Sequence, residues 1–446
     1  MHKNICIIGG GISGLTALYY LRKKGLKATL FEVSSQIGGV IQTKNIDNFI
    51  IEKGPNTMLL SDQRTLDMIK DLELSIENAS PYSNKRYIVK NRKCLSLPIS
   101  IFNFITTSLF SFPTKFKILI EVFKRNKKSS NEESISQFFI RRFGKEFLDY
   151  AINPFIAGTY AGDPDILSIK YAFPKLYELE SKYGSVIGGL VKEKKDINKI
   201  KRQTISFNGG INTFTQKLAK RYKESIFTKS QVKDISKHKD GYTITLKQNN
   251  ELKTLNYDKV ICTIPAYSLK KITVNGRSFK DFTTLNKINY PSIISISLGY
   301  NSESIPHNLS GFGVLVPKCE NMNILGILFS SSLFKNRAPK GKSLLTIFMG
   351  GSRHPEHCKL SKEERYSLVY KDLEKLLGIK SKPIFNYETI WEKSIPQYHL
   401  GYGHYNKILG IIELKLPGFY FAGNFVNGIS IQDTILNSMN LINEKF

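Results

Sequence analysis

Acidic residues are scarce in this chain. Lysine and arginine number 65 against 37 aspartates and glutamates, giving a formal net charge of +28 and a pI near 9.7. Cysteine is scarce as well. The five present, Cys6, Cys94, Cys262, Cys319 and Cys358, form an odd set without metal-ligand spacing. That excludes a disulfide framework and a cysteine-built zinc site, and it fits a reduced, cytosolic chain. No apolar run is long enough for a transmembrane helix. A strand-like run starts at Asn4, so no signal peptide is expected. Internal repeats and low-complexity domains are absent. The basic excess has three readings: nucleic acid, an anionic membrane surface, or a lysine-rich compositional bias. Without a recognisable module or a basic stripe interleaved with aromatics, nucleic acid is not expected. The wide scatter of lysine fits bias, and membrane attraction is compatible with it.

What remains is ordinary globular material. Hydrophobic residues make up 41% of 446 residues and charged residues 23%, enough chain for two or three packed units. Residues 4–8 read as an apolar strand. Leu15 to Lys24 reads as a helix stopped by Gly25, and Ala28 to Val33 as the next strand. Residues 97–189 change character and read as a helical insertion, with a helix over Glu133 to Tyr150, a basic connector from Lys124 to Ser130, and a lysine-rich run, Lys192 to Lys201, just beyond. Ser230 to Leu255 reads as two strands joined near Asp240-Gly241. Strand-like runs follow at Ile293–Leu298, Gly313–Val316, Ile324–Leu328 and Leu344–Phe348. A helix is expected over Lys362–Leu377, and a last one from about Ile431.

The first motif that carries chemistry is Gly9-x-Gly11-x-x-Gly14, with Ser13 inside it, between strand and helix. Glycines there permit a tight turn and let backbone approach a pyrophosphate, and the helix N-terminus then meets the negative charge. Glu32, at the end of the next strand, is placed to accept ribose hydroxyls. An isolated glycine motif can be an ordinary turn; strand, helix and acid in sequence make it a dinucleotide site. Gly38-Gly39 and Gly54-Pro55-Asn56-Thr57 follow. Near the C-terminus, Tyr420-Phe421-Ala422-Gly423-Asn424 is a strand ending in Gly-Asn, and Gly428-Ile429-Ser430-Ile431 starts a helix. That arrangement suits FAD, because the helix dipole can stabilise negative charge on a reduced flavin ring.

Along nearly its whole length the chain resembles the FAD-dependent protoporphyrinogen oxidases, within the broader amine-oxidase-like flavoproteins. The resemblance is carried by Gly54-Pro55-Asn56-Thr57, Asn153-Pro154-Phe155, the stretch from Ala157 to Pro164, Ala172-Phe173-Pro174, the stretch from Gly311 to Pro317, Gly350-Gly351-Ser352-Arg353, and Trp391 with Ile395-Pro396-Gln397-Tyr398. It implies an α/β plus α+β fold: a discontinuous Rossmann-like FAD-binding domain (1–84, 203–268, 405–446), a mixed-sheet substrate domain (85–96, 190–202, 269–404) and a helical membrane-associating insertion (97–189). It implies that Arg86 pairs with a propionate carboxylate and that Leu315, Leu328 and Phe348 sandwich the macrocycle. Gly162 then lines the substrate cavity, Val232 contacts the adenine side, and Trp391 lies near the flavin. The implied reaction removes six electrons and six protons from a porphyrinogen in three flavin cycles, with dioxygen as acceptor.

The residue types agree with that picture. A tetrapyrrole offers a broad apolar body with carboxylates at its rim, and wants apolar walls plus a cationic anchor. The sequence carries no signature of a dedicated general base and no metal site, so the redox chemistry belongs to the cofactor. Gly38-Gly39 is followed by Val40-Ile41-Gln42-Thr43, where relatives often carry lysine or arginine, so the phosphate clamp is expected to rely on backbone amides. The apolar block 97–120 is either a monotopic membrane patch or interior. Protoporphyrinogen IX and coproporphyrinogen III both remain open as substrates, as do other flavin oxidations and a non-catalytic flavin-binding or membrane-scaffold role. A homodimer and peripheral attachment to the cytoplasmic membrane are further expectations.

Overall fold

A computed structural model describes residues 4–124, 132–193 and 198–446. The basic connector from Lys124 to Ser130, apart from Lys124, and the middle of the Lys192 to Lys201 run lie outside the described residues.

Five parallel strands form the first sheet, in the order Ile226–Phe227, Lys27–Phe31, Asn4–Ile8, Lys259–Cys262, Phe419–Phe421. Neighbours in this sheet come from distant parts of the chain: Ile7 pairs with Ile261, and Ile261 with Tyr420. Strand side chains alternate between faces. Ile5, Ile7, Ala28, Leu30 and Ile261 pack against the helices Ile12–Lys23 and Ile431–Lys445 through Leu15, Leu18, Ile435 and Ile442. Cys6, Ile8, Phe31, Val260 and Cys262 pack on the other side against Ile235, Tyr242 and Ile244. Covering both faces is why these strands read as unbroken apolar runs.

Ser230–His238, Gly241–Gln248 and Glu251–Tyr257 form three antiparallel strands where two were expected. The extra reversal falls at Asn249-Asn250, both at positive φ (49° and 67°). That is the backbone of a two-residue hairpin turn, which asparagine tolerates.

The second large sheet has seven strands, in the order Phe385–Trp391, Ile293–Asn301, Lys342–Gly350, Ile324–Leu328, Gly313–Leu315, Tyr87–Lys90, Lys93–Ser96. One face, with Ile294, Ile296, Val314, Ile327, Ile347 and Met349, packs against the helix Lys362–Leu377 through Val369, Leu373 and Leu376. A Ser361–Glu364 capping box starts that helix and Gly378, at φ 70°, ends it, which is why its bounds were plain in the sequence.

Residues 97–189 are helical, as expected, but the Glu133–Tyr150 helix is not continuous. Ile135–Phe143 stops at Gly144, whose φ of 93° no helix accommodates, and a π-helical turn follows at Leu148–Ile152. Arg142 and Glu121 are sealed inside this unit. Glu121 accepts from Ser185 Oγ (2.7 Å) and the Val186 N–H (3.0 Å), and Arg142 also pairs with Glu180. A buried pair of this kind fixes the packing more than it adds net stability. The apolar block of the unit divides: Leu109 and Phe110 are buried against Ile88, whereas Ile101, Phe102 and Phe112, with Phe123 just beyond the block, are 74–84% exposed. Among the described residues no helix is long and apolar enough to cross a membrane.

Candidate active site

The strands Asn4–Ile8, Lys259–Cys262 and Phe419–Phe421 lie side by side, so the loops after them share one edge of the sheet. Gly9 takes φ 109° there. A Cβ on Gly14 would lie 2.0 Å from the Gly9 carbonyl oxygen, so only glycine lets the helix sit this close to the strand. A Cβ on Gly11 would meet nothing within 4 Å, leaving open space at the helix start. Glu32 is buried, and its carboxylate accepts the Gly10 N–H (2.6 Å) and the Ser34 N–H (2.7 Å). Those bonds hold the acid beside the glycine turn.

Gly38 donates its N–H to Gly10 O (2.9 Å), and a Cβ on Gly39 would lie 3.2 Å from Gly11 Cα. The Gly38-Gly39 turn therefore lies against the first glycine loop. Beside it, Lys53 Nζ donates to Gln42 Oε1 (2.8 Å). A Cβ on Gly54 would sit 2.0 Å from Val40 O, and Asn56 Nδ2 donates to Gly54 O (3.1 Å). Pro55 and Thr57 flank Asn56, all three half-buried.

On the C-terminal side, Gly423 takes φ 132°. The Tyr398 hydroxyl donates to Asn424 O, and that of Tyr402 to Phe425 O (2.5 Å). Ser430 Oγ accepts the Asp433 N–H (3.1 Å) and caps the last helix, with Ile429 just outside it and Ile431 its first residue. Ser13 Oγ bonds Ser438 Oγ (2.8 Å), so the two glycine-loop helices are tied to each other. Sequence reasoning missed Thr263. Its hydroxyl lies 2.9 Å from Ile8 O and 3.0 Å from Gly9 O, and a Cβ on Gly423 would be 3.7 Å from its carbonyl oxygen. Thr263 thus joins the N- and C-terminal loops, and nothing in its local sequence marks it.

Val232 is buried in the core beside Phe31, two residues beyond Ser230, whose N–H donates to Glu32 O (2.8 Å). Trp391 is half-buried and donates Nε1–H to Lys53 O (2.7 Å), next to Gly54. Both are held close to the glycine-loop segments.

The other set of residues lies on the second sheet, on the face turned away from the Lys362–Leu377 helix. Leu315, Gly326, Phe348 and Ser295 face one another across four strands, and Leu328 pairs with Thr346 one row on. A bulge at Leu325 matters here: Ile324 pairs with Met349 on the core face, whereas Gly326 and Leu328 point to the opposite one. Leu328 and Phe348 cluster with Phe312, Leu333 and Phe334. Leu315 abuts the helix Asn153–Tyr160, where a Cβ on Gly158 would be 2.8 Å from its Cδ2.

Arg86 stacks its guanidinium over the Phe312 ring at 4.7 Å. Burial, then the nearby Arg202 cation, push its pKa below the usual arginine value. Among the described residues no carboxylate pairs with it, so the site favours an incoming anion. Gly162 sits where a Cβ would strike Gln397 Oε1 at 2.4 Å. Gln397 Nε2 donates to Tyr160 O (2.8 Å), while its Oε1 is buried without a donor.

The two sets meet. A hollow of about 10 Å³ is lined by Asn56 and Glu52 from the glycine-loop side, by Leu328 and Thr346 from the sheet face, and by Phe334. At its wall Arg337 donates to Glu52 Oε1 (2.9 Å) and to Ser206 Oγ, while Glu52 also accepts from Thr43 Oγ1 (2.6 Å) and the Ile211 N–H (2.9 Å). Both charged side chains are 4% exposed. Burial pushes the Glu52 carboxyl upward, against the opposing pull of Arg337. No sequence signal marked Arg337.

A parallel sheet with three converging loops, two of them glycine-bearing, an acid fixed beside the first, and an apolar sheet face with an unpaired cation define a dinucleotide-dependent oxidoreductase. The open space at Gly11 and the helix N-terminus beside it fit a pyrophosphate. The family model for flavin-containing amine oxidoreductases matches residues 12–439, and the chain belongs to that family, with FAD as its cofactor. The chain is 34% identical to protoporphyrinogen oxidase 2, chloroplastic/mitochondrial, of Arabidopsis thaliana, over 97% of this chain and 92% of that protein. It is 28% identical to coproporphyrinogen III oxidase of Bacillus subtilis (strain 168), over 97% and 96%. A solved structure from Exiguobacterium sp. 255-15 shares the fold at TM-score 0.80 and 21% identity, covering 100% of this chain and 98% of that one.

Proposed function

We propose that this protein oxidises protoporphyrinogen IX to protoporphyrin IX, a step of heme biosynthesis, with dioxygen as the final acceptor. The observation that carries the reading is the apolar face of Leu315, Leu328 and Phe348 with the unpaired Arg86 at its edge. Relatives at 34% identity bear the corresponding name. FAD, when bound, supplies a two-electron acceptor, so six electrons leave in three rounds. Arg86 holds a propionate by a charge-assisted bond. Leu315, Leu328 and Phe348 flank the macrocycle and exclude water from it, and Gly162 belongs to the segment that the family resemblance assigns to the cavity lining. Gly9, Gly11, Gly14, Gly38, Gly39 and Gly54 cradle the dinucleotide with backbone, Glu32 orients its ribose, and Gly423 and Asn424 close the flavin end.

The division into FAD-binding, substrate and helical parts follows from the same reading. The outward apolar side chains of Ile101, Phe102, Phe112 and Phe123, with the exposed Lys117 among them, suit peripheral attachment to the cytoplasmic membrane. Anaerobic mixing with protoporphyrinogen IX and, separately, coproporphyrinogen III tests the proposal through flavin bleaching. Faster bleaching by protoporphyrinogen IX supports it. Faster bleaching by the tetracarboxylate reassigns the substrate, and no bleaching by either ends the porphyrinogen reading.

A further inference from the structure

The Phe348 strand ends in the turn Gly350-Gly351-Ser352-Arg353, which grips the helix Asn153–Tyr160 at both ends. At the helix C-terminus the Ser352 N–H donates to Ala161 O (2.7 Å). Gly351, at φ 66°, permits that approach, since a Cβ there would lie 2.7 Å from the same oxygen. At the helix N-terminus Arg353 Nη2 donates to Asn153 Oδ1 (2.8 Å), which also accepts the Lys318 N–H (2.9 Å). The other arm of the guanidinium, Nη1, donates to Val316 O (2.6 Å). One side chain thus joins the Phe348 strand, the Leu315 strand and the helix beside them.

Burial pushes the Arg353 guanidinium down to about 10, against the weaker pull of Asp163 and Cys319. Its charge is met by two neutral oxygens, each through a charge-assisted bond. Such bonds are costly to break in an enclosed place, so they fix the geometry of their partners. What that geometry controls is Leu315. Its Cδ2 is wedged between two glycines: a Cβ on Gly158, in the helix, would lie 2.8 Å away, and one on Gly326, in the adjacent strand, 3.3 Å away. Val316, whose carbonyl Arg353 holds, is the next residue in the chain. In packing this close, a small shift of the helix displaces the leucine.

We propose that Arg353 is a positioning residue for the porphyrinogen: it sets the Asn153–Tyr160 helix against the sheet and so fixes the Leu315 side chain that packs on the macrocycle. It acts through Leu315 and not by contact with the substrate. The inference rests on the reading of Leu315 as a substrate-facing residue, and adds what holds that residue in place.

Flavin-loaded full-length protein is mixed anaerobically with protoporphyrinogen IX and with coproporphyrinogen III, and the half-saturating concentration is read for the one that bleaches the flavin faster. Arg353→Met and Leu315→Ala are each expected to raise it about fivefold or more. Arg353→Met is expected to keep its flavin. Because one residue acts through the other, the double variant is expected to show clearly less than the product of the two effects. Arg353→Lys, which reaches one oxygen in place of two, is expected to fall between wild type and Arg353→Met. A general weakening of the fold would leave the two effects independent. If Arg353→Met loses flavin, Arg353→Lys takes its place in the cycle. An unchanged value in Leu315→Ala overturns the substrate-facing reading and this inference with it. A rise in Leu315→Ala, with no change in the Arg353 variant or with effects that multiply in full, overturns the role of Arg353 alone.

Discussion

The two large sheets make their sites in opposite ways. The parallel sheet works with its ends: Gly9, Thr263 and Gly423 follow adjacent strands, and their contacts are to backbone. The mixed sheet offers a face: Leu315, Leu328 and Phe348 present side chains on it, and the strands beneath them are a scaffold. A backbone site is blocked by an added atom where glycine leaves no room, as at Gly9 and Gly14, whereas side-chain sites lose function in proportion to what is removed. A parallel strand end gathers amide N–H groups suited to a pyrophosphate, and a sheet face offers area suited to a flat apolar body.

The sharpest way to break this contrast is at Gly14. Gly14→Val places atoms on the Gly9 carbonyl and is expected to give protein without flavin, read as the absorbance released on denaturation. Full flavin content would show that the close strand–helix approach is dispensable. Next is the joint between the two regions. Arg337→Met strands Glu52 in the interior and is expected to cost about 3–5 kcal/mol in a denaturant melt, with part recovered by adding Glu52→Gln. An unchanged melt would mean that the two regions do not depend on this pair.

On the side-chain region, Arg86→Met is expected to raise KM for protoporphyrinogen IX roughly ten- to a hundredfold with little change in kcat, the loss of one charge-assisted bond. An unaltered KM would remove Arg86 from the site. The helical unit supplies a pH test. Burial pushes the Glu146 carboxyl up, but bonds from Ser111, Thr114 and Lys90 prevail and hold it at about 2. A carboxyl depressed in the folded state stabilises fully above its ordinary 4.5 and loses that contribution as pH falls toward 2. Urea melts of wild type should therefore weaken by on the order of 1–3 kcal/mol across that window. Glu146→Gln should flatten this part of the profile, and an equal slope in both proteins would refute the assignment. The smallest effect on folding is expected from Phe102→Ser with Phe123→Ser, within about 0.5 kcal/mol per site. Liposome sedimentation should nevertheless fall, and unchanged sedimentation would detach this surface from the membrane.

Legibility in the sequence followed the range of the forces. The Lys362–Leu377 helix could be read because its capping box and terminal glycine are local. The Gly9 to Glu32 unit could be read because strand, turn, helix and strand are consecutive. The Glu133–Tyr150 helix was read as continuous because apolar periodicity runs through Gly144, and the turn at Asn249-Asn250 was passed over inside a strand-like run. Thr263, Arg337 and Phe312 carried no signal as site residues, because each acquires its role from partners far away in sequence.

By itself, then, the sequence determined a dinucleotide loop with its acid; the family resemblance named an apolar set with a cation, and the block 97–120 stayed open between surface and interior. Only the tertiary structure decided that Gly9 and Gly423 share one sheet edge, since strand order depends on pairings between remote segments. It alone decided that Leu328 leaves the core face, because one bulged residue at Leu325 reverses the alternation, and no periodicity announces a bulge before the strands have paired.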